Sequence, residues 1–201
     1  MTTPRDHVAD RDEEVTRGSR LAVDVGTVRV GLAASDPDGL VATPVETLAR
    51  VKASNARPVP SDVLRIVDEV HERGAALVYV GLPRHLSGAE GASSAGARAY
   101  AVLLAQAVAP VPVRLVDERM STVSAHQALY ASGRSGRRHR QVVDQAAAVV
   151  ILQSALDAER ASGRRPGERV DVDPQHARPV RGGAAGARTH DGTHDAGETS
   201  T

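Results

Sequence analysis

Three carboxylates stand at positions where an acidic side chain is costly unless it has a function. Asp24 lies between two valines of an apolar segment, and Glu118 closes the apolar run at residues 113–116. Asp144 shares a helical face with Ile151 in a long segment rich in alanine and valine. A buried carboxylate that stands alone is usually neutralised, paired or bound to a metal ion. Each of the three is therefore a candidate metal ligand, with an ion pair or a helix cap as the alternative for any one of them alone.

Together the three acids favour a metal site over three separate ion pairs. Each ends or interrupts an apolar element, so they could converge at the carboxyl ends of the central strands of a sheet. The chain has no cysteine, and a donor set made only of oxygen suits Mg²⁺ or Mn²⁺. Two such ions can activate a water molecule and stabilise the leaving oxygen of a phosphodiester. Asp117 is next to Glu118 and would face the opposite way in a regular strand; Glu118 is preferred, but the choice stays open.

The elements that must position these acids follow the order β-β-β-α-β-α-β-α-α. Short apolar runs separated by turn residues predict strands, and apolar residues at helical spacing predict helices. Pro44 in the third strand suggests an edge position or a bulge. The order predicts an α/β fold with a five-stranded mixed sheet, in which an antiparallel hairpin unit is followed by parallel strands, with helices on both faces. The predicted strands are RLAVDVG, VRVGLAAS, LVATPVETL, AALVYVGLP and VPVRLVDE, and the predicted helices begin near residues 61, 91, 121 and 140.

Length and composition indicate one domain with tails. The chain has 201 residues, and we expect a disordered leader at 1–18, a folded domain at 19–160 and a disordered low-complexity tail at 161–201. The formal net charge is zero, which argues against a protein that coats nucleic acid through bulk charge. No apolar stretch is long enough to span a membrane, and the polar first residues do not look like a signal peptide. The sequence therefore predicts a cytoplasmic protein.

Four blocks of the sequence resemble the YqgF family. The blocks are DVGTVRVGLA (24–33), VGLPRHLSG (80–88), VDERMSTVSA (116–125) and VDQAAAVVILQ (143–153). Proteins of this family are similar to Holliday junction resolvases and are described as pre-16S rRNA nucleases. The resemblance implies an RNase H-like fold, and a metal-dependent hydrolase that cuts phosphodiester bonds in the 5′-end processing of pre-16S rRNA. It also implies that Asp24, Glu118 and Asp144 are catalytic and bind Mg²⁺ or Mn²⁺.

Several other residues are predicted to contact the phosphates of a substrate. Arg119 follows the second acid directly, and a guanidinium group matches phosphate geometry with two hydrogen bonds. Gly81 and Gly88 belong to a glycine-rich segment between a strand and a helix, where backbone N–H groups can approach a phosphate. The run RSGRRHR precedes the helix that carries Asp144, and its arginines would position nucleic acid without reading its sequence. These arginines include Arg137, Arg138 and Arg140. The alternative for Arg119 is an ion pair with Asp117 or Asp24, that for the glycines is a simple glycine-rich turn, and that for the arginine run is a solvated charged segment.

The partners expected from this set are nucleic acids, with structured RNA favoured and branched DNA as the alternative. Ribosomal assembly intermediates are a further expected partner, and the chain is expected to be a monomer or a homodimer. One alternative function is a Holliday-junction-type DNA resolvase. Another is a module that binds nucleic acid without cutting it, although three costly carboxylates have little use in a pure binder. A sugar kinase or ATPase of the actin type would need a second domain of similar size and a second phosphate-binding hairpin, which the sequence does not contain.

Overall fold

The computed structural model describes residues 14–84, 89–118 and 137–172, with side chains from residue 146 onward in the last range. A single sheet contains all six strands of the described residues. The strands are β1 (Arg20–Val25), β2 (Arg29–Ser35), β3 (Ala42–Ala49), β4 (Leu77–Leu82), β5 (Val113–Asp117) and β6 (Glu168–Arg169). The helices are α1 (Ser61–Glu72), α2 (Ala92–Val108) and α3 (Arg137–Ser162). The short helix expected near residue 121 lies outside the described residues.

The sheet has the order β3-β2-β1-β4-β5-β6. Strand β2 pairs antiparallel with both β1 and β3, whereas β4 pairs parallel with β1 and β5 pairs parallel with β4. This confirms the predicted RNase H-like fold class, in which an antiparallel hairpin unit is followed by parallel strands. Pro44 lies in the edge strand β3, and the register with β2 shifts between Leu32 and Ala33, the residue opposite Pro44. A proline cannot donate a backbone hydrogen bond, so an edge position with a local irregularity accommodates it.

Alternation along the strands builds two apolar layers, one on each face of the sheet. Leu21 and Val23 of β1 pack with α1 and α2, whereas Ala22 packs on the other face with α3. The first layer is large, and the second is formed mainly by small residues and the apolar face of α3. Successive side chains of a strand point to opposite faces. Asp24 therefore belongs to the same face of β1 as Ala22, which is the face that α3 covers.

A buried polar network joins α3 to the first strand. The guanidinium of Arg20 in β1 lies 2.9 Å from a carboxylate oxygen of Glu159 in α3, and both side chains are 3% exposed. The hydroxyl of Tyr79 in β4 donates to the same carboxylate at 2.6 Å. Burial and the Glu159 charge raise the pKa of Tyr79 well above its usual value, so its hydroxyl stays protonated and remains a donor. The network fixes the register of α3 against β1 and β4.

The sheet continues beyond the predicted domain end at residue 160, and it has six strands instead of five. Strand β6 pairs antiparallel with β5. Val170 is buried in the larger apolar layer, and its N–H donates to the carbonyl of Val113 at 2.9 Å. Arg114 of β5 donates to the carbonyls of Pro166 and Gly167 at 2.9 and 2.7 Å. Residues 164–170 therefore belong to the folded domain, and the expectation that they form part of a disordered tail is wrong.

Among the residues that the structure describes, no helix combines the length and the apolar character needed to cross a membrane.

Candidate active site

Two of the predicted acids lie on either side of strand β4, at the carboxyl ends of parallel strands. Val23 of β1 pairs with Val80 of β4, and Gly81 of β4 pairs with Val116 of β5. Asp24 follows Val23 by one residue and Glu118 follows Val116 by two. With the alternation of the strands, this register brings Asp24 and Glu118 to the α3 face of the sheet, with Gly81 between their strands.

Gly81 leaves the space that the Glu118 side chain occupies. A Cβ atom at this position would lie 2.8 Å from Oε1 of Glu118 and 2.7 Å from Cδ1 of Ile151 in α3. The sequence predicted that Gly81 contacts a phosphate from a loop between a strand and a helix. The structure places Gly81 inside β4, where it is buried and paired with β5. Because Gly81 has no side chain, the carboxyl group of Glu118 can occupy the space beside it.

The carboxyl group of Glu118 holds its proton more tightly than an ordinary glutamic acid. Its pKa is raised to about 7, first by burial and then by the negative charges of Asp24 and Asp117. Charges act on Glu118 in this way only when their carboxylates lie close to it. Burial is the larger cause of the raised pKa of Glu118, and the negative charges of the two neighbouring carboxylates add to it.

Asp117 has different surroundings from those of Glu118. Its Oδ2 atom lies 3.8 Å from Nε of Arg84, and its side chain is 20% exposed. The guanidinium of Arg84 also lies 3.3 Å from Glu90. Asp117 is the last residue of β5, so regular alternation directs it away from the α3 face, as the sequence predicted. These surroundings favour Glu118 over Asp117 as the partner of Asp24.

Both acids open onto one cleft of about 350 Å³. Its walls include Gly26 and Thr27 of the turn after β1, and the first turns of α2 around Gly96. The cleft is wide enough for more than a water molecule. It lies at the end of the sheet where the carboxyl ends of the parallel strands β1, β4 and β5 meet. The carboxyl ends of the strands are the usual place for ligand binding in sheets with parallel strands.

The chain matches one protein family over residues 18–158, which contain Asp24, Glu118 and Asp144. That family is RuvX, described as "Holliday junction resolvase". The chain belongs to the RuvX family. This agrees with the resemblance of its four sequence blocks to the YqgF proteins.

Relatives of this RuvX chain carry a common name. A protein of Streptomyces coelicolor is 52% identical over 172 residues, which cover 86% of this chain and 99% of the relative. One from a Nocardioides species is 54% identical over 156 residues and covers 77% and 97% of the two chains. Both are named "Putative pre-16S rRNA nuclease". Among solved structures, "T. thermophilus RuvC in complex with Holliday junction substrate" has a TM-score of 0.44 and 19% identity, with 74% of this chain and 99% of that chain covered.

The remaining predicted residues of this RuvX chain are placed only in part. Asp144 lies in α3, and its side chain is outside the described part. Arg119 and Gly88 also lie outside it. Helix α3 begins at Arg137, so the predicted arginines at 137, 138 and 140 belong to its first turn and do not precede the helix. Among the described side chains, no three acids or histidines are grouped closely enough to hold a metal ion.

Sequence reasoning missed one cationic residue of the cleft, Arg50. It follows β3 directly, and its guanidinium donates to the carbonyl of Gly26 at 2.7 Å. Its Cζ atom lies 5.6 Å from the ring centroid of Tyr100 in α2. The hydroxyl of Tyr100 donates to the buried carboxylate of Asp62 at 3.0 Å. No local motif marks Arg50, because its neighbours in the cleft come from β1 and α2.

Proposed function

We propose that this protein is a metal-dependent nuclease that hydrolyses phosphodiester bonds in the 5′-end processing of pre-16S rRNA in the cytoplasm. Membership of the RuvX family supports the nuclease class, and the names of close relatives support the RNA substrate. The observation that carries the proposal is the placement of Asp24 and Glu118 in one cleft, where burial and the charge of Asp24 disfavour the ionised form of Glu118.

The residues of the cleft fit a divalent cation such as Mg²⁺ or Mn²⁺. Asp24 and Glu118 supply oxygen donors only, which these ions prefer. Burial, followed by repulsion from Asp24 and Asp117, raises the pKa of Glu118 to about 7, and a bound cation would offset that repulsion. Asp144 would be the third ligand, because it precedes Ile151 by two helical turns in α3, the helix whose Ile151 side chain packs over Gly81.

The contribution of the chain to this reaction is to hold the negatively charged carboxylates of Asp24 and Glu118 in fixed positions. When bound, the ions supply an activated water molecule and stabilise the charge on the leaving oxygen. Asp24 is held by a strand paired on both sides, and Glu118 rests on the bare backbone of Gly81. Rigid elements of this kind keep the two carboxylates within the small tolerance that catalysis requires.

Cleavage assays with two substrates test the proposal. The full chain would be incubated with a labelled 5′ segment of pre-16S rRNA and with a four-way DNA junction, in Mg²⁺, in Mn²⁺ and in chelator. We expect metal-dependent cutting of the RNA, and a loss of at least a hundredfold in the Asp24→Asn and Glu118→Gln variants. Asp171→Asn is the matched control, since that side chain is 95% exposed and lies outside the cleft.

The outcomes separate the competing functions. Preference for the four-way junction would favour a DNA resolvase, which the description of the family supports. Tight binding of RNA without cutting under any metal condition would favour a module that only binds nucleic acid. Cutting that persists unchanged in Asp24→Asn and Glu118→Gln would place the active site elsewhere.

A further inference from the structure

Arg50 places a positive charge on the wall of the acidic cleft. The cleft is lined by Arg50 together with Asp24 and Glu118. No carboxylate of a described residue lies within ion-pair distance of Arg50, whose side-chain contacts are two carbonyl oxygens and one aromatic ring. Arg84, at the same end of the sheet, lies within 4 Å of both Glu90 and Asp117. Of these two arginines, Arg50 is the one whose charge is available to an anionic ligand.

The guanidinium of Arg50 is held in place but keeps donors for a ligand. One Nη atom donates to Gly26 at 2.7 Å and the other to Gly96 at 3.5 Å. A guanidinium has five N–H donors, so about three remain for another partner. The backbone N–H of Arg50 donates to the carbonyl of Val28 at 2.9 Å, which ties the residue to the turn after β1. A fixed guanidinium with spare donors loses little entropy when it binds an anion.

The support beneath the guanidinium extends into the core. The ring of Tyr100 is buried under Arg50, and its hydroxyl donates to Asp62, which is 3% exposed. Asp62 belongs to the first turn of α1, Tyr100 to α2, and Gly26 to the turn after β1. Three separate segments therefore fix the position of the Arg50 guanidinium. An arginine that only covers a loop surface would not need the buried Tyr100 ring and its hydrogen bond to Asp62 as support.

We propose that Arg50 binds a backbone phosphate of the nucleic acid strand that lies in the cleft beside Asp24 and Glu118. The inference rests on the nuclease function proposed above and assigns a phosphate-binding residue to it. Nucleic acid must bring its phosphates close to two carboxylates, and a guanidinium offers two parallel hydrogen bonds to phosphate oxygens. The contact carries no base information, so it positions the strand for any sequence.

Binding of a single-stranded RNA oligonucleotide tests the proposal. The full chain would be titrated in chelator, which prevents cutting, over a range of KCl concentrations. We expect Arg50→Gln to weaken binding about tenfold at low salt. The slope of log Kd against log salt should fall by about 0.7, the amount for one phosphate contact with a single strand. Arg57→Gln is the matched control, because Arg57 carries the same charge on the exposed loop after β3.

A lysine variant separates charge from geometry. Arg50→Lys keeps the charge, so we expect it to keep the salt slope while it binds several-fold more weakly than the wild type. Thermal unfolding of each variant checks that the fold is intact. If the glutamine variant does not fold, the lysine variant decides, and affinity equal to that of the wild type would overturn the proposal.

Three further results show whether the phosphate contact, the nuclease function or both have failed. An Arg50→Gln variant that keeps the wild-type salt slope shows that Arg50 makes no phosphate contact, even if the wild type cuts RNA. A wild type that binds no oligonucleotide at any salt concentration refutes the contact and the nuclease together. A reduced slope in a protein that cuts nothing would support the phosphate contact and leave the nuclease function as the failed proposal.

Discussion

Arg20 and Glu159 form a buried ion pair that connects the strand carrying Asp24 to the helix carrying Asp144. The guanidinium and carboxylate are 2.9 Å apart and almost fully enclosed, and Tyr79 supplies a further hydrogen bond to the carboxylate. Arg20 lies four residues before Asp24 in β1, and Glu159 lies fifteen residues after Asp144 in α3. The pair thus sets how α3 lies against β1, at the opposite end of the sheet from the candidate site.

We expect Glu159→Gln to destabilise the protein strongly. The substitution leaves the guanidinium of Arg20 buried without its counter-charge, and breaking one partner of a buried pair costs about 3–5 kcal/mol. Urea denaturation of the variant and the wild type measures the difference in the free energy of unfolding. Asp157→Asn on the same helix is the control, because its ion pair with Arg160 is exposed and should contribute less than about 1 kcal/mol. Equal effects of the two substitutions would contradict a structural role for the buried pair.

We expect Gly81→Ala to reduce cutting more than it reduces stability. A Cβ atom would clash with Ile151 and with the carboxylate of Glu118. The side chain of Glu118 must then move, at a cost of about 1–3 kcal/mol for overpacking. Ile151→Val removes one of the two clashing atoms, so the double variant should regain part of the stability. Kinetic and denaturation data for the two single variants and the double variant test this, and a fully active Gly81→Ala protein would refute it.

The raised pKa of Glu118 predicts a pH dependence of stability in the metal-free protein. Its pKa rises from the usual 4.5 to about 7, so the folded state binds this proton more tightly than the unfolded chain does. The contribution to stability is complete below pH 4.5 and is lost as the pH rises through 7. We expect a loss of about 2 kcal/mol, since a tenfold change in proton affinity corresponds to about 1.4 kcal/mol and the group is partly exposed.

The comparison with Glu118→Gln isolates this effect. The variant keeps the shape of the side chain but has no proton to lose, so its free energy of unfolding should change less between pH 4.5 and 7 than that of the wild type. Denaturation in chelator across this range provides the measurement. Parallel pH profiles for the two proteins would show that Glu118 titrates normally.

A divalent cation should stabilise the folded protein through Asp24. A ligand that binds only the folded state at a hundred times its Kd adds about 2.7 kcal/mol to the free energy of unfolding. Thermal unfolding with Mg²⁺, with Mn²⁺ and with chelator would reveal the effect as a higher Tm. We expect Asp24→Asn to abolish the rise and Asp171→Asn to keep it. A rise that survives Asp24→Asn would mean that the cation binds at another place.

Truncation tests the domain boundary that the structure revises. A chain that ends at residue 160 loses β6, the burial of Val170 and the two carbonyl partners of Arg114, so we expect it to be less stable by about 3 kcal/mol or more. A chain that ends at residue 172 keeps all of these contacts and should unfold like the full-length protein. Denaturation of both truncated chains distinguishes the two boundaries, and equal stability would restore the earlier boundary at residue 160.

Sequence patterns predicted the five longer strands and the placement of the two described acids, because local physical rules govern both. Val, Leu and Ala in short runs form buried strands, and the parallel pairing of β1, β4 and β5 then brings their carboxyl ends together. Asp24 and Glu118 stood out since each interrupts or ends such a run. Asp117 and Glu118 are separated by the alternation of a strand, so their different surroundings also follow from the local pattern.

The sequence did not predict the features that depend on contacts between distant segments. β6 contains only Glu168 and Arg169 and lies in a stretch rich in glycine, proline and arginine, so no periodic pattern marks it. Gly81 looked like a loop glycine because its role depends on Ile151, seventy residues later. Arg50 was missed for the same reason, since Gly26 and Tyr100 reach it from other elements.

The hydrogen bonds of Tyr79 and Tyr100 give this protein two optical reporters at known places. The chain has no tryptophan to mask tyrosine emission, and it has three tyrosines in all. Tyr79 reports on the contact between α3 and the sheet, through Glu159. Tyr100 lies beneath the guanidinium of Arg50, so an anion that binds there should change its ultraviolet spectrum. Occupancy of the cleft could then be followed without any attached label.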